Sequence, residues 1–229
     1  MSNLCIIPAR GGSKRIPRKN VRPFAGRPML HWPVRAARET GLFGRIVVST
    51  DDPEIADVAR EAGAEVLDRP KAIADDRTPL RPVIRHAIEA SAPGTIERVC
   101  CILATAVLAD SADIARGHAA LDDGGIDFAF AAAPFPAPPH RALLREGKGV
   151  AMMFPEHRLT RTQDLPEAFF DVGQFYWGRP GGFATDASMF EARSRMVVVP
   201  PERARDIDTP EDWAAAERLF AALRDVPGP

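Results

Sequence analysis

Residues 10–20 (RGGSKRIPRKN) combine the residue types that hold phosphate. Gly11 and Gly12 expose backbone N–H groups and can adopt positive φ angles, and Ser13 adds a hydroxyl donor. A short apolar run, LCII, comes just before them and has the composition of a buried strand. The segment also carries five cations, which are Arg10, Lys14, Arg15, Arg18 and Lys19. A strand, a glycine turn and clustered cations together favour a polyphosphate site over a solvated basic loop.

The spacing of this segment excludes two common nucleotide motifs. It matches neither GxxxxGK[ST] of the P-loop proteins nor GxGxxG of the dinucleotide-binding proteins. The sequence therefore disfavours both a P-loop NTPase and a dinucleotide-dependent dehydrogenase. Arginine can bind phosphate through two parallel hydrogen bonds, whereas lysine supplies a movable point charge, and this loop offers both.

A pair of carboxylates near the end of the chain has the spacing of a metal site. Asp206 and Asp208 are two residues apart, so their side chains point the same way if the backbone is extended. Two adjacent carboxylates repel one another, and a hard divalent cation such as Mg²⁺ relieves that repulsion. The alternative is capping of the next helix. Thr209 already accounts for a cap, whereas Asp206 has no role in one.

Together the two motifs predict nucleotidyl transfer. Cations would hold a triphosphate, the carboxylate pair would hold Mg²⁺, and catalysis would depend on positioning and on stabilising phosphoryl charge. Two alternatives remain open at this stage: a non-catalytic sensor of a nucleotide sugar, and a nucleotidyltransferase that acts on a hexose phosphate.

The elements that must position these motifs alternate between strand and helix. Apolar runs at residues 4–7, 45–50, 65–68, 99–105 and 127–133 predict strands, and amphipathic segments at 27–40, 53–62, 80–92, 111–121 and 210–224 predict helices. This alternation predicts a mostly parallel α/β sheet with helices on both faces. In such sheets ligands bind at the carboxyl ends of the strands, where residues 10–20 begin.

The alternation stops between residues 134 and 195. This stretch opens with the proline-dense PFPAPPHRALL, which is incompatible with a central strand. We expect one domain over residues 1–229, with 134–195 as an excursion from the sheet that serves in dimerisation. The chain then returns with a strand at RMVVVP.

Composition limits the class of protein. The chain has 229 residues, a net charge of −1 and 45% hydrophobic residues. A near-neutral chain without a long apolar stretch favours neither a nucleic-acid partner nor a membrane. The three cysteines have no metal-ligand spacing, so we expect buried free thiols and a cytoplasmic location.

The segment IIPARGGSKRIPRKN closely resembles the opening signature of CMP-sugar synthetases that act on nonulosonic acids, the sialic-acid-like sugars. The resemblance continues in order through VVSTDDPEIADVAREAGAEV and RPKAIADDRT, and so spans nearly the whole chain. TRTQDLPEAFFDVGQFYWG and DIDTPEDW are most similar to the pseudaminic acid cytidylyltransferase branch.

The resemblance implies a Rossmann-like three-layer nucleotidyltransferase, a homodimer in which residues 134–195 reach the partner and help to shape its sugar site, and a magnesium-dependent reaction. In that reaction the anomeric hydroxyl of the sugar attacks the α-phosphorus of CTP and pyrophosphate leaves. It also implies the roles of individual positions. The nucleotide positions are Arg10, Gly12, Ser13, Lys14, Lys19, Asn20, Arg69 and Thr78; the sugar positions are Thr105 and Gln174; the metal ligands are Asp206 and Asp208; and the catalytic residues are Lys19, Arg10 and Asp208.

Three positions depart from the branch pattern. Val107 and Leu108 stand where a proline and an aromatic residue are usual, and Phe170 stands where a histidine is common. If these residues border the sugar, its identity is open, and legionaminic acid and N-acetylneuraminic acid remain alternatives to pseudaminic acid.

Overall fold

The computed structural model describes residues 2–91, 93–186, 188–190 and 193–225. Its strands are β1 (Ser2–Pro8), β2 (Pro23–Phe24), β3 (Arg27–Pro28), β4 (Phe43–Thr50), β5 (Glu65–Asp68), β6 (Ile96–Ile102), β7 (Phe128–Pro134), β8 (Leu143–Glu146), β9 (Gly149–Met152), β10 (Phe169–Gly178) and β11 (Ser194–Val198). Its helices are α1 (His31–Glu39), α2 (Pro53–Glu61), α3 (Leu80–Ala90), α4 (Ser111–Ala120), α5 (Pro180–Ala184) and α6 (Pro210–Asp225).

Seven strands form one sheet in the order β11-β7-β10-β6-β1-β4-β5. All neighbouring pairs are parallel except those made by β10, which runs antiparallel to β6 and β7. Helices α1, α2 and α4 pack on one face, and α3 and α5 pack on the other. The mostly parallel three-layer α/β fold predicted from the sequence is therefore confirmed.

A third apolar cluster joins the two ends of the chain. It unites Ile16, Phe24 and Trp32 with Ile207, which precedes α6, and with Trp213 and Phe220 of α6. Phe24 meets Trp213 and Phe220 edge to face, with ring centroids 5.4 Å apart in both pairs. Burial of these aromatic side chains fixes α6 beneath residues 10–20.

Two predicted elements have different boundaries in the structure. The helix predicted over 27–40 begins only at His31, because residues 23–28 form the small β2–β3 hairpin with Gly26 at a φ of 82°. The helix predicted over 80–92 ends at Ala90, and position 92 lies outside the described residues.

The predicted excursion over 134–195 is too long. β10 lies within it and occupies a central place in the sheet, so the part that leaves the sheet is residues 135–168. That part contains the separate β8–β9 hairpin and several exposed apolar side chains, among them Leu143, Val150 and Leu159. Sequence periodicity missed this return because an antiparallel central strand breaks the strand–helix alternation.

The three cysteines, Cys5, Cys100 and Cys101, are buried free thiols, as the sequence predicts. Burial raises the pKa of all three thiols well above the ordinary value for cysteine. Thiols in this environment stay protonated and unreactive.

Candidate active site

A cleft of about 500 Å³ opens at the carboxyl ends of β1 and β6. Its volume lies within the range of small-molecule sites, roughly 300–1,000 Å³. It is lined by Pro8, Arg10, Ser13, Lys14, Arg15, Lys19, Asn20, Asp76, Leu103, Ala104, Thr105 and Asp208. Seven of the sequence-predicted positions therefore lie together: Arg10, Ser13, Lys14, Lys19, Asn20, Thr105 and Asp208.

The basic loop, residues 10–20, is closed by its own polar groups. Asn20 is 7% exposed and its Nδ2 donates to the Arg10 carbonyl at 3.0 Å, which ties the end of the loop to its start. The Gly11 N–H donates to Asp51 Oδ1 at 3.1 Å. A Cβ on Gly11 would lie 2.6 Å from a carboxylate oxygen of Asp52, so only glycine fits this approach.

Four cations of the basic loop face the cleft and meet two carboxylates there. Arg10 and Lys14 both form ion pairs with Asp76, whereas Arg15 Nη2 lies 2.8 Å from Asp208 Oδ1. Anions thus already occupy the positions at which these side chains could bind phosphate oxygens. Since four cations face two carboxylates, the cleft keeps a positive balance that attracts an anionic ligand.

Lys19 is the most enclosed of these cations. Its side chain is 16% exposed, and its Nζ donates to the Ile207 carbonyl at 2.7 Å and lies 3.7 Å from Asp208 Oδ1. Burial lowers the pKa of Lys19, while Asp208 and then Asp206 oppose that shift. The ammonium group therefore joins the basic loop to the segment that carries the acidic pair.

The acidic pair is asymmetric. Asp208 lines the cleft, whereas Asp206 does not, and one carboxylate oxygen of Asp206 accepts from the Ile207 N–H at 2.8 Å. Burial and then the charge of Asp208 raise the pKa of Asp206 above its usual range. Two close carboxylates repel one another, and a divalent cation between them would relieve that repulsion. Across the described ranges no cluster of three or more acidic, histidine or cysteine side chains forms a larger site.

Arg18 does not contribute to the cleft. Its guanidinium pairs with Asp52 and Glu54 at the start of α2, with Nη1 2.5 Å from Asp52 Oδ2. The residue has a φ of 56°, in the left-handed region. The cation cluster seen in the sequence thus divides into a cleft-facing group and one cation that braces α2.

The remaining predicted positions lie behind or beside the cleft. Arg69 is buried and donates to the Ser49 carbonyl at 2.6 Å, whereas the Thr78 hydroxyl donates to Asp75 at 2.7 Å. The Gly12 carbonyl accepts from Arg10 at 3.1 Å. Gln174 is 1% exposed, its Nε2 donates to the Arg203 carbonyl, and its Oε1 has no partner within the described part of the chain.

The three departures from the branch pattern are not wall residues of the cleft. Val107 and Leu108 are buried in the third apolar cluster, beneath the basic loop. Phe170 lies against Phe135, with ring centroids 5.2 Å apart, at the base of the segment that leaves the sheet. Any influence they have on the bound sugar must act through the residues they support.

Sequence reasoning missed Asp76 and gave Arg15 no specific partner. Asp76 belongs to the DDRT stretch between β5 and α3, whose acidic residues could have been recognised as candidates for pairing with the basic loop. Asp76 lies 66 residues from its partner Arg10, and a separation of that size gives no local signal.

Comparison with known proteins gives one family. Residues 4–171 match the family model described as cytidylyltransferase. A pseudaminic acid cytidylyltransferase of Campylobacter jejuni is 38% identical over 224 residues, covering 96% of this chain and 97% of that protein. A CMP-N,N'-diacetyllegionaminic acid synthase of the same species is 30% identical over 222 residues, covering 95% and 94% of the two chains.

A solved structure shares the fold. A CMP:2-keto-3-deoxy-manno-octonic acid synthetase complexed with CTP superposes with a TM-score of 0.72 at 16% identity, covering 97% of this chain and all of that one.

In the part of the chain described here, no helix has the length and apolar character needed to cross a bilayer.

Proposed function

This chain belongs to the cytidylyltransferase family, and from that premise we propose that it transfers CMP from CTP to the anomeric hydroxyl of pseudaminic acid, releasing pyrophosphate. The observation that carries the proposal is the cleft in which four cations of one loop face two carboxylates, Asp76 and Asp208. The relatives named as pseudaminic acid cytidylyltransferases support the choice of sugar, because their similarity covers almost the whole chain.

We assign the cations to successive parts of the triphosphate. Arg10 and Lys14 exchange the Asp76 carboxylate for oxygens of the leaving pyrophosphate, with Ser13 donating beside them. Lys19 lies deepest and contacts the α-phosphate, where charge builds up as the hydroxyl attacks. Arg69 and Thr78 are assigned to the cytidine end by resemblance.

Asp206 and Asp208 would hold a divalent cation, most simply Mg²⁺. Burial and then the charge of Asp208 raise the pKa of Asp206, with Lys19 opposing the shift, and a divalent cation would offset the repulsion between the two carboxylates. The bound ion would neutralise phosphate oxygens and lower the pKa of the attacking hydroxyl. Lys19 and Arg15, both in contact with Asp208, orient that carboxylate while it is exposed to the cleft.

The sugar is assigned to the side of the cleft lined by Thr105. Gln174 lies behind Leu103, whose N–H donates to the Gln174 carbonyl at 2.9 Å. Gln174 is assigned to this side by resemblance. Its Oε1 is buried and has no partner in the described part of the chain, so a hydroxyl or amide donor that reached it would satisfy it.

We further propose a cytoplasmic homodimer. The exposed apolar side chains of residues 135–168, including Leu143 (61% exposed) and Val150 (72%), support contact with a second copy through this segment. A two-stranded hairpin such as β8–β9 is marginal in water alone, so a partner surface would stabilise it.

The test is pyrophosphate release with CTP and Mg²⁺ against pseudaminic, legionaminic, N-acetylneuraminic and 2-keto-3-deoxy-manno-octonic acids. Preference for pseudaminic acid supports the proposal, and preference for another nonulosonic acid keeps the reaction but changes the sugar. Tight CTP binding with no release from any acid would instead support a non-catalytic sensor. Asp208→Asn should abolish release, and light scattering of the active protein should give a dimer mass.

A further inference from the structure

Asp113 is the one buried carboxylate among the residues that the structure describes. It lies in the first turn of α4, outside the cleft, and its side chain is 5% exposed. Removing a carboxylate from water is costly unless partners compensate it. Two arginines do so: Arg116 Nη2 donates to Asp113 Oδ1 at 2.6 Å, and Arg203 Nη2 donates to Asp113 Oδ2.

The two arginines lead to different parts of the fold. Arg116 also donates to the Val198 carbonyl at 2.8 Å, at the end of β11. Arg203 closes a short 3₁₀ turn, residues 201–203, and its own carbonyl accepts from Gln174 Nε2 at 2.5 Å. Of the two arginines, only Arg203 directly precedes the segment that carries the acidic pair.

That segment, residues 204–208, has no regular secondary structure. It is fixed downstream, where Thr209 and Asp212 exchange capping hydrogen bonds at the start of α6. It is fixed in the middle, where Ile207 is buried and its carbonyl accepts from Lys19. Upstream, the fixed point is Arg203, which is held by Asp113 and Gln174.

We propose that Asp113 is a positioning residue for the acidic pair, acting through Arg203. The inference rests on the proposed function for the identity of the ion that Asp206 and Asp208 hold. Outer-shell partners of metal ligands are worth about 10–100-fold in metal affinity. Asp113 fixes the backbone that presents the two carboxylates, and losing it frees the upstream end of residues 204–208 while the downstream cap remains.

The test compares three variants of the full-length protein. Asp113→Asn and Arg203→Met both remove the ion pair between Asp113 and Arg203, which precedes the acidic pair. Arg116→Met is the matched control, because it removes the other partner of Asp113 and leaves the Arg203 contact in place. Thermal unfolding of each variant separates a general loss of stability from the local effect.

Two readouts do not need turnover. The first is Mn²⁺ binding, measured by electron paramagnetic resonance, which should weaken about tenfold or more in Asp113→Asn and Arg203→Met. The second is hydrogen exchange of residues 203–208 without metal, which should speed up by about tenfold in those two variants and stay at the wild-type rate in Arg116→Met. The concentration of Mg²⁺ that half-saturates pyrophosphate release should rise in parallel.

Unchanged exchange and unchanged Mn²⁺ affinity in Asp113→Asn would overturn the inference, as would equal losses in Arg116→Met, since these would reflect only a buried charge. A wild-type protein that releases no pyrophosphate from any of the four acids would count against the proposed function. The exchange comparison would still decide whether Asp113 positions residues 203–208.

Discussion

Replacing Lys19 by methionine should remove most of the catalytic activity, whereas the same change at its neighbour Arg18 should not. The two cations are adjacent in sequence, yet Lys19 faces the cleft and Arg18 pairs with Asp52 and Glu54 on α2. Arg18→Met is therefore a control of matched charge and length within the same loop.

The magnitudes follow from the two environments. Loss of one preorganised donor to a developing oxyanion costs about 10²–10³-fold in kcat, or about 2.7–4 kcal/mol. With its side chain 16% exposed, Lys19 should show an effect of that size in kcat/KM. The Arg18 side chain is 42% exposed, and exposed ion pairs contribute about 0.2–1 kcal/mol to stability, so its loss should lower Tm slightly.

The assay is initial-rate pyrophosphate release under saturating Mg²⁺ for the wild type, both variants and Lys19→Arg, with circular dichroism to confirm folding. Lys19→Met also loses the hydrogen bond to the Ile207 carbonyl, so its Tm should fall too. The reasoning is refuted if Lys19→Met keeps activity within tenfold of wild type, or if Arg18→Met loses as much as Lys19→Met does.

Three further predictions concern single residues. The native pKa of Asp206 is raised, so its protonated carboxyl favours the folded state at low pH, and this contribution to stability is lost as pH rises through the native pKa. Asp206→Asn should therefore raise the metal-free Tm relative to wild type more at pH 7 than at pH 4, and it should impair turnover. A Cβ on Gly117 would lie 2.7 Å from Trp177 Cδ1, and such overpacking costs about 1–3 kcal/mol, whereas the gain in helix propensity is only about 1 kcal/mol. Gly117→Ala should therefore destabilise the protein by up to about 2 kcal/mol in urea unfolding, and Gly124→Ala, with open space around it, is the control. Asp76→Asn should lower the Kd for CTP in calorimetry, because two cations no longer have to leave a carboxylate, and weaker binding would show that Asp76 is itself part of the nucleotide site.

Features governed by local chemistry could be predicted from the sequence. The Asp52 side chain accepts from the Glu54 and Ile55 N–H groups, as expected of an N-cap followed by proline. Thr209 begins α6 in the same way. The pairing of strands is not set locally. The residues of β10 do not predict its position between β6 and β7, because that position depends on how the other strands of the sheet pair.

The candidate site shows the same division. The residue types of the basic loop predict phosphate binding, but the direction of each side chain depends on tertiary contacts. Arg18 pairs with Asp52 and Glu54 at the start of α2, and Asp76 is brought in from a separate loop. Asp113 has no sequence signal, because an aspartate in the first turn of a helix is common and only its burial distinguishes it.

The hydrogen bond from Lys19 to the Ile207 carbonyl joins residues 188 positions apart, and it sets a condition on when the chain can become active during synthesis. At roughly 5–20 residues per second, the basic loop is made about 10–40 seconds before the segment that supports it. Until then Ile16, Phe24 and Trp32 lack the aromatic side chains of α6 that cover them. A chain released before residue 206 would keep Asp76 and the glycines and cations of its opening motif, but it would lack Ile207, Asp208 and the aromatic side chains of α6. The complete phosphate site can therefore form only late in translation, although the basic loop is synthesised first.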